Sequence, residues 1–389
     1  MFEGMRRRFG NRLERRIVAR GFDRLRYIAP VRPEAATGLV AAVYEQLSRD
    51  FQLLAPLTLA SPLPTLLAAR WTILRETVIA GAAPRLEKEL VAEAVSKANA
   101  CPYCVAAHAL MVRGGGLDGV GQALARGDAE AIANPRLRSI ATWALNTRSP
   151  DRPAVLSPPF DERSASEFVG TAVAFHTTNR LVDVFLEASP FASPAGLKWA
   201  AALLTKPAAS TFARRLVELA PSPGESLSLL PAAPFPPDMA WAASNAVVAG
   251  AFARAASVLD SLGGSLVPEA ARATVLEHVD RWRGEAMGPS RAWVEDALLP
   301  VAEPARAAAR LALLVTLASF QVDGDVVKSF REQSPSDEAL LGMVAWAAFT
   351  AARRVGTWLG GPHVGRAPAH HGQGRLTQLA SAMARHDGR

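Results

Sequence analysis

The sequence predicts an all-α protein with two helical domains, and three observations predict it. Apolar residues recur at three- and four-residue spacing over most of the chain, the period of a half-buried helix. Alternating strand-like runs closed by Asn-Gly or Asp-Gly turns are absent. The breaks in the pattern fall at proline-dense stretches, where neither a helix nor a sheet ladder continues easily. The 389 residues are half hydrophobic and one fifth charged, with eight tryptophans. That is a globular composition, long enough for two cores of ordinary size.

Taken in order, residues 1–33 form a basic arginine-rich segment, in which Phe9, Leu13, Ile17 and Val18 would share one side of a helix. A first helical domain is expected over 34–190. It opens with the helical patterns ATGLVAAVYEQLSRDF (36–51), LPTLLAARWTILRETVIAG (63–81) and RLEKELVAEAVSKAN (85–99). Asn99 then precedes Cys101-Pro102. Proline suits the first position of a helix, because its missing N–H would have no partner there, so a new helix begins near Cys101 and stops at Gly114–Gly116. A second helical domain is expected over 191–360. The proline-dense run APSPGESLSLLPAAPFPPD (220–238) reads as an interdomain linker, and LLGMVAWAAFTAA (340–352) as a buried helix. Residues 361–389 read as a loosely ordered tail.

Charge is concentrated in one place. Residues 1–32 hold ten arginines against Glu3, Glu14 and Asp23, so this segment alone accounts for the chain's net charge of +7. The body is electrically balanced, which argues against a nucleic-acid-binding protein. The basic segment suits either an acidic partner or membrane surface, or a helix packed on its own protein with arginines in water. No uninterrupted apolar run reaches the ~18 residues of a membrane span, and no secretory apolar core opens the chain. A cytoplasmic protein is expected.

FHTTNRLVDVFL (175–186) and FTAARRVGTWL (349–359) align at Phe175/Phe349 and Arg180/Arg354. Further back, setting Glu89 opposite Arg310 places Cys101 and Cys104 opposite Val322 and Asp325. The second domain is therefore a candidate degenerate repeat, one that has lost the chemical groups of the first.

Those groups converge on NACPYCVAAH (99–108). Cys101 and Cys104 are the only cysteines in the chain, and His108 follows one helical turn after Cys104. Both sulfurs fall in the first turn of the helix, where free amides and the positive end of the helix dipole favour a thiolate. The spacing puts His108 on the same face. Lowering a thiol pKa from about 8.5 by about two units makes the thiolate the major form at neutral pH. An imidazole held by a carboxylate would deliver a proton to a leaving oxygen. Glu87, Glu89 and Glu93, upstream on the preceding helix, are the candidate carboxylates. A pair of this kind is open to redox chemistry, to a zinc site completed by His108 and Glu89, or to a structural disulfide. Zinc wants four ligands and no second CxxC or HxxxH pair exists; a disulfide closing so short a loop adds little stability.

The run Glu89 through His108, ELVAEAVSKANACPYCVAAH, resembles the signature of AhpD-like alkylhydroperoxidases in the carboxymuconolactone decarboxylase superfamily. That signature has a glutamate twelve residues before CxxC and a histidine four after its second cysteine; Glu89, Cys101, Cys104 and His108 all match. FHTTNRLVDVFL also looks like the superfamily, and the resemblance covers about residues 40–190. It implies that 34–190 is an AhpD-like all-α domain of an oligomeric, thiol-dependent peroxidase of antioxidant function. Carried over, Cys104 would attack the O–O bond, Glu89 and His108 would relay protons, and Cys101 would close a redox-active Cys101–Cys104 disulfide that an external dithiol reduces. It implies no cofactor and no metal. Tyr103 stands where some relatives carry another histidine, so a second relay is missing. Helix-end electrostatics alone favour Cys101 as the more acidic thiol, whereas proximity to His108 favours Cys104.

Rival readings are a non-enzymatic redox-responsive or thiol–disulfide exchange module, and a zinc-binding structural protein. Elsewhere, His176, Asn179, Arg180 and Asp183 form a polar cluster at helical spacing inside an apolar helix. It reads as a buried network joining helices, or as lining near the thiols. His278 reads as a solvated face, and His370-His371 as too isolated for a metal site.

Overall fold

The computed structural model describes residues 22, 25–187 and 207–360, with side chains of the second span from 213 onward. The helix expected in the basic segment and the 361–389 tail lie outside these residues, as does the start of the expected second domain. Among the described residues the chain is helical, without a strand and with one isolated bridge between Leu25 and Leu186.

The longer helices are α1 (Gly38–Asp50), α2 (Pro64–Leu74), α3 (Arg85–Ala98), α4 (Pro102–Gly114), α5 (Asp118–Arg126), α6 (Pro135–Leu145), α7 (Glu162–Phe185), α8 (Pro207–Glu218), α9 (Ala246–Leu266), α10 (Glu269–Arg281), α11 (Glu303–Ala318), α12 (Gly324–Arg331) and α13 (Asp337–Leu359). Their starts follow local chemistry. Asp161 caps α7 by accepting from the Ser164 amide, and Asn245, Asp323 and Ser336 cap α9, α12 and α13 in the same way. The 63–81 pattern is one α-helix to Leu74 and then a π-turn over Arg75–Ile79, every residue of it buried. The turn brings two charges inside: the Arg75 guanidinium bonds Asp50 at 2.7 Å and Glu76 at 2.6 Å.

Helices α7 and α13 cross at the centre, and α3, α9 and α11 pack around them. One contiguous cluster of buried side chains runs from Phe22 to Leu359, through both halves. The proline-dense 220–238 stretch is part of that packing and does not span open solvent. It folds into 3-10 turns at Glu225–Leu229 and Pro237–Ala242, with Ser226 and Met239 fully buried. Glu76 accepts from the Gly224 and Ser226 amides and from the Ser226 hydroxyl. The prolines forbid a long helix here, but the apolar residues between them still seek the core. LLGMVAWAAFTAA is the buried body of α13, as its composition predicts.

By length and composition α9 is apolar enough to cross a membrane. Its Val248, Phe252, Ala255 and Leu259 are buried, and the helix packs on α2 and α13. The paired motif residues Arg180 and Arg354 meet at Trp282. Arg180 lies over its ring at 5.8 Å, and Arg354 donates to its carbonyl.

Candidate active site

The site is built on the turn between α3 and α4. The Cys101 amide bonds the Ser96 carbonyl and the Ala100 amide bonds that of Lys97, closing α3 with a Schellman motif. The residue at its left-handed position is Ala100 (φ 54°), where glycine is usual. This reversal leaves Cys101 as the N-cap of α4 and Pro102 at its first position. The expected helix start and the stop near Gly114 both hold.

Both cysteines are free thiols, 0% and 3% exposed. The hydrogen bond with Cys104 raises the Cys101 pKa most, followed by burial and by the charges of Cys104 and Asp183. Cys101 therefore holds its proton more tightly than a free cysteine does. Helix-end electrostatics are outweighed by competition between two thiols one turn apart. The Arg70 guanidinium of α2 supplies a nearby cation: its charge couples to Cys104, while burial lowers its own pKa to about 10. Its Nη2 donates to the Pro56 carbonyl at 2.9 Å, and its buried Nη1 has no hydrogen-bond partner.

His108 and Glu89 form a dyad across α3 and α4, with Nδ1 of the ring 2.6 Å from Oε2 of the acid. Arg85 donates to Oε1 from Nε at 2.9 Å and from Nη2 at 2.5 Å. Burial pushes the Glu89 pKa up, but the charges and hydrogen bonds of Arg85 and His108 together bring it to about 2. An ionised Glu89 accepts the Nδ1 proton and fixes the tautomer. The Nε2 atom makes no hydrogen bond among the described residues, and the side chain keeps 15% exposure. The edge of the ring meets Phe175 of α7 at 4.5 Å between centroids.

The other two candidate acids go elsewhere. Glu87 pairs with Arg136 of α6 at 2.7 Å. Glu93 is 1% exposed, and neither carboxyl oxygen has a hydrogen-bond partner. Burial raises its pKa to about 8, against the opposing pull of Arg113. It lines a cleft of about 550 Å³ together with Lys97, Pro102, Val105 and Arg113.

Most of the polar cluster of α7 is the network its spacing predicts. His176 Nδ1 accepts from the Asn99 amide at 3.1 Å, and Nε2 bonds Thr147 at 2.9 Å. Asn179 joins Asn99 to Ser96. Burial, with Arg180 and Arg148, holds the His176 pKa well below its ordinary value, so the ring is neutral. Asp183 is different: it accepts from Ser319 Oγ at 2.6 Å, and its charge helps to raise the Cys101 pKa. Sequence reasoning did not single out Arg70, although it is the one charge inside the apolar run LLAARWTIL. His278 bonds the Thr274 carbonyl of its own helix. Among the described residues no three His, Cys, Asp or Glu side chains are grouped as metal ligands.

Residues 65–145, which carry Arg70, Glu89, both cysteines and His108, match the carboxymuconolactone decarboxylase family. The chain is also similar to an alkyl hydroperoxide reductase of Mycobacterium tuberculosis, 39% identical over 335 residues, which are 86% of this chain and 94% of the relative. No solved structure matches. With a relative this similar along nearly its whole length, and with the AhpD-like run from Glu89 to His108 folded around one turn, the chain belongs to the carboxymuconolactone decarboxylase family.

Proposed function

We propose that this protein is a thiol-dependent hydroperoxide reductase that cycles Cys101 and Cys104 between dithiol and disulfide. One observation carries the reading: a free CxxC pair opens the helix that also bears an imidazole whose Nδ1 is held 2.6 Å from the Glu89 carboxylate. The similarity to a mycobacterial protein named as an alkyl hydroperoxide reductase supports it.

The Cys104 thiolate attacks the terminal oxygen of the hydroperoxide, breaking the O–O bond and forming a sulfenic acid. Nε2 of His108 takes the Cys104 thiol proton and passes it to the departing alkoxide, while Glu89 stabilises the ring that carries it. Such proton delivery contributes roughly 10²–10⁴-fold to a rate. Cys101 then displaces the sulfenic hydroxyl as water and closes the disulfide, which an external dithiol reduces. The thiols are buried, which favours a small hydroperoxide over a protein disulfide as substrate.

The test is loss of an organic hydroperoxide in the presence of a dithiol donor. Turnover is expected with the native chain and abolished in Cys104→Ser. Activity surviving that substitution overturns the proposal.

A further inference from the structure

One acid near the thiols has no task in the redox cycle. Glu93 of α3 is 1% exposed, and neither of its carboxyl oxygens has a hydrogen-bond partner among the described residues. A buried carboxyl without partners weakens a fold, and such groups persist where a function keeps them.

Glu93 lines the cleft of about 550 Å³ between α3, α4 and α5, a volume within the range of small-molecule pockets. Pro102, Val105, Ala106 and Ala109 of α4 give it an apolar wall. They lie on a different face of α4 from Cys104 and His108, because residues three, four and seven apart share a helix face. Two cations line the same cleft. Arg113 of α4 has a buried Nε without a hydrogen-bond partner. Lys97 of α3 donates to the Ala125 carbonyl of α5 at 3.0 Å and keeps further ammonium protons. The charge of Arg113 acts on Glu93, yet no hydrogen bond joins the two side chains. The cleft thus brings together donors that the fold itself leaves unused.

We infer that this cleft binds a small apolar monocarboxylate, whose carboxylate bridges Arg113 and the Glu93 carboxyl while its hydrocarbon body lies on the wall from Pro102 to Ala109. Burial raises the Glu93 pKa to about 8, so at neutral pH the acid keeps its proton and donates it to the bound oxygen. Such charge-assisted bonds are the strong ones. A ligand amine would meet two cations and a protonated acid, and an alcohol would leave Arg113 without an anion. The charge of the cleft therefore selects an acid. The site does not depend on the redox cycle. Ala100 and Pro102, which flank Cys101 in the chain, set it beside the thiol turn.

The test is calorimetric titration of the reduced full-length chain with octanoate at pH 7, with octanol and octylamine as the same body under a neutral and a cationic head. Octanoate is expected to bind at one site per chain, roughly tenfold or more tighter than either control. Arg113→Met should weaken octanoate roughly tenfold or more and leave octanol unchanged. The charged groups acting on Glu93 are Arg113 of α4 and Glu89 and Lys97 of its own helix. Above about pH 8 its carboxyl is ionised and repels the ligand, so native affinity should fall. Glu93→Gln, which keeps a donor and does not titrate, should show a smaller fall. Four results overturn the inference: no binding at millimolar octanoate, either control binding as tightly, unchanged affinity in Arg113→Met, or an equal fall with pH in Glu93→Gln. Far-UV dichroism checks the fold of the variants. If Arg113→Met does not fold, the order of the three probes on the native chain decides.

Discussion

Glu93→Gln should stabilise the protein, and by an amount that grows with pH. The Glu93 carboxyl is 1% exposed, unbonded among the described residues, and raised by burial from 4.5 to about 8. For an acid, a raised folded-state pKa means that the folded chain binds the proton more tightly than the unfolded one. Its contribution to stability is level below about pH 4.5, declines as pH rises to about 8, and is level again above that. At about 1.4 kcal/mol per unit, the loss is of order 3 kcal/mol at pH 7 and of order 5 kcal/mol above pH 8. Both figures are upper values, since Arg113 and Lys97 can shift toward the charge. Glutamine keeps the shape and neutrality of the protonated acid and does not titrate. Guanidinium unfolding of both chains across the window from about pH 4.5 to about 8.5 measures the gap. It should be near zero at the acid end and reach several kcal/mol at the alkaline end. A gap independent of pH, or a less stable variant at high pH, would refute the burial argument.

Other outcomes follow from the same contacts. Glu89 is lowered to about 2, so its contribution is complete above about pH 4.5 and lost as pH falls toward 2; acid unfolding of Glu89→Gln should lack that slope. Glu89→Ala leaves Arg85 and His108 facing a gap and should cost about 3 kcal/mol or more in a denaturant melt. Arg70→Met removes the cation coupled to Cys104, and iodoacetamide should then alkylate that thiol roughly tenfold more slowly at neutral pH. Gly284→Ala combines a φ of +88° with a Cβ only 1.5 Å from the Arg148 carbonyl oxygen, and should lower stability by about 2 kcal/mol or more, read by thermal unfolding.

The start of α4, its stop, and the shared face of Cys104 and His108 were legible because each depends on neighbours in sequence: Pro102, the glycines at 114–116, and a four-residue step. Choosing Glu89 from three acids took the family spacing, since Glu93 lies one helical turn from it on the same face. Only packing sends Glu87 to Arg136 and Glu93 into a cleft. The order of the two thiols was ambiguous because the helix-end field favours Cys101 and proximity to His108 favours Cys104. The sequence does not say which is stronger. The 220–238 stretch read as a linker because proline density reports what a segment avoids, not where its Ser226 and Leu230 settle. Asp183 was visible as a polar residue in an apolar helix. Its partner Ser319 lies more than eighty residues away, beyond any local pattern.

A thiol count before and after one equivalent of organic hydroperoxide tests the redox cycle most directly. The native chain should lose both Cys101 and Cys104 thiols without joining to a second chain, Cys101→Ser should stop with Cys104 as sulfenic acid, and Cys104→Ser should keep its remaining thiol. Two thiols surviving in the native chain would contradict the account.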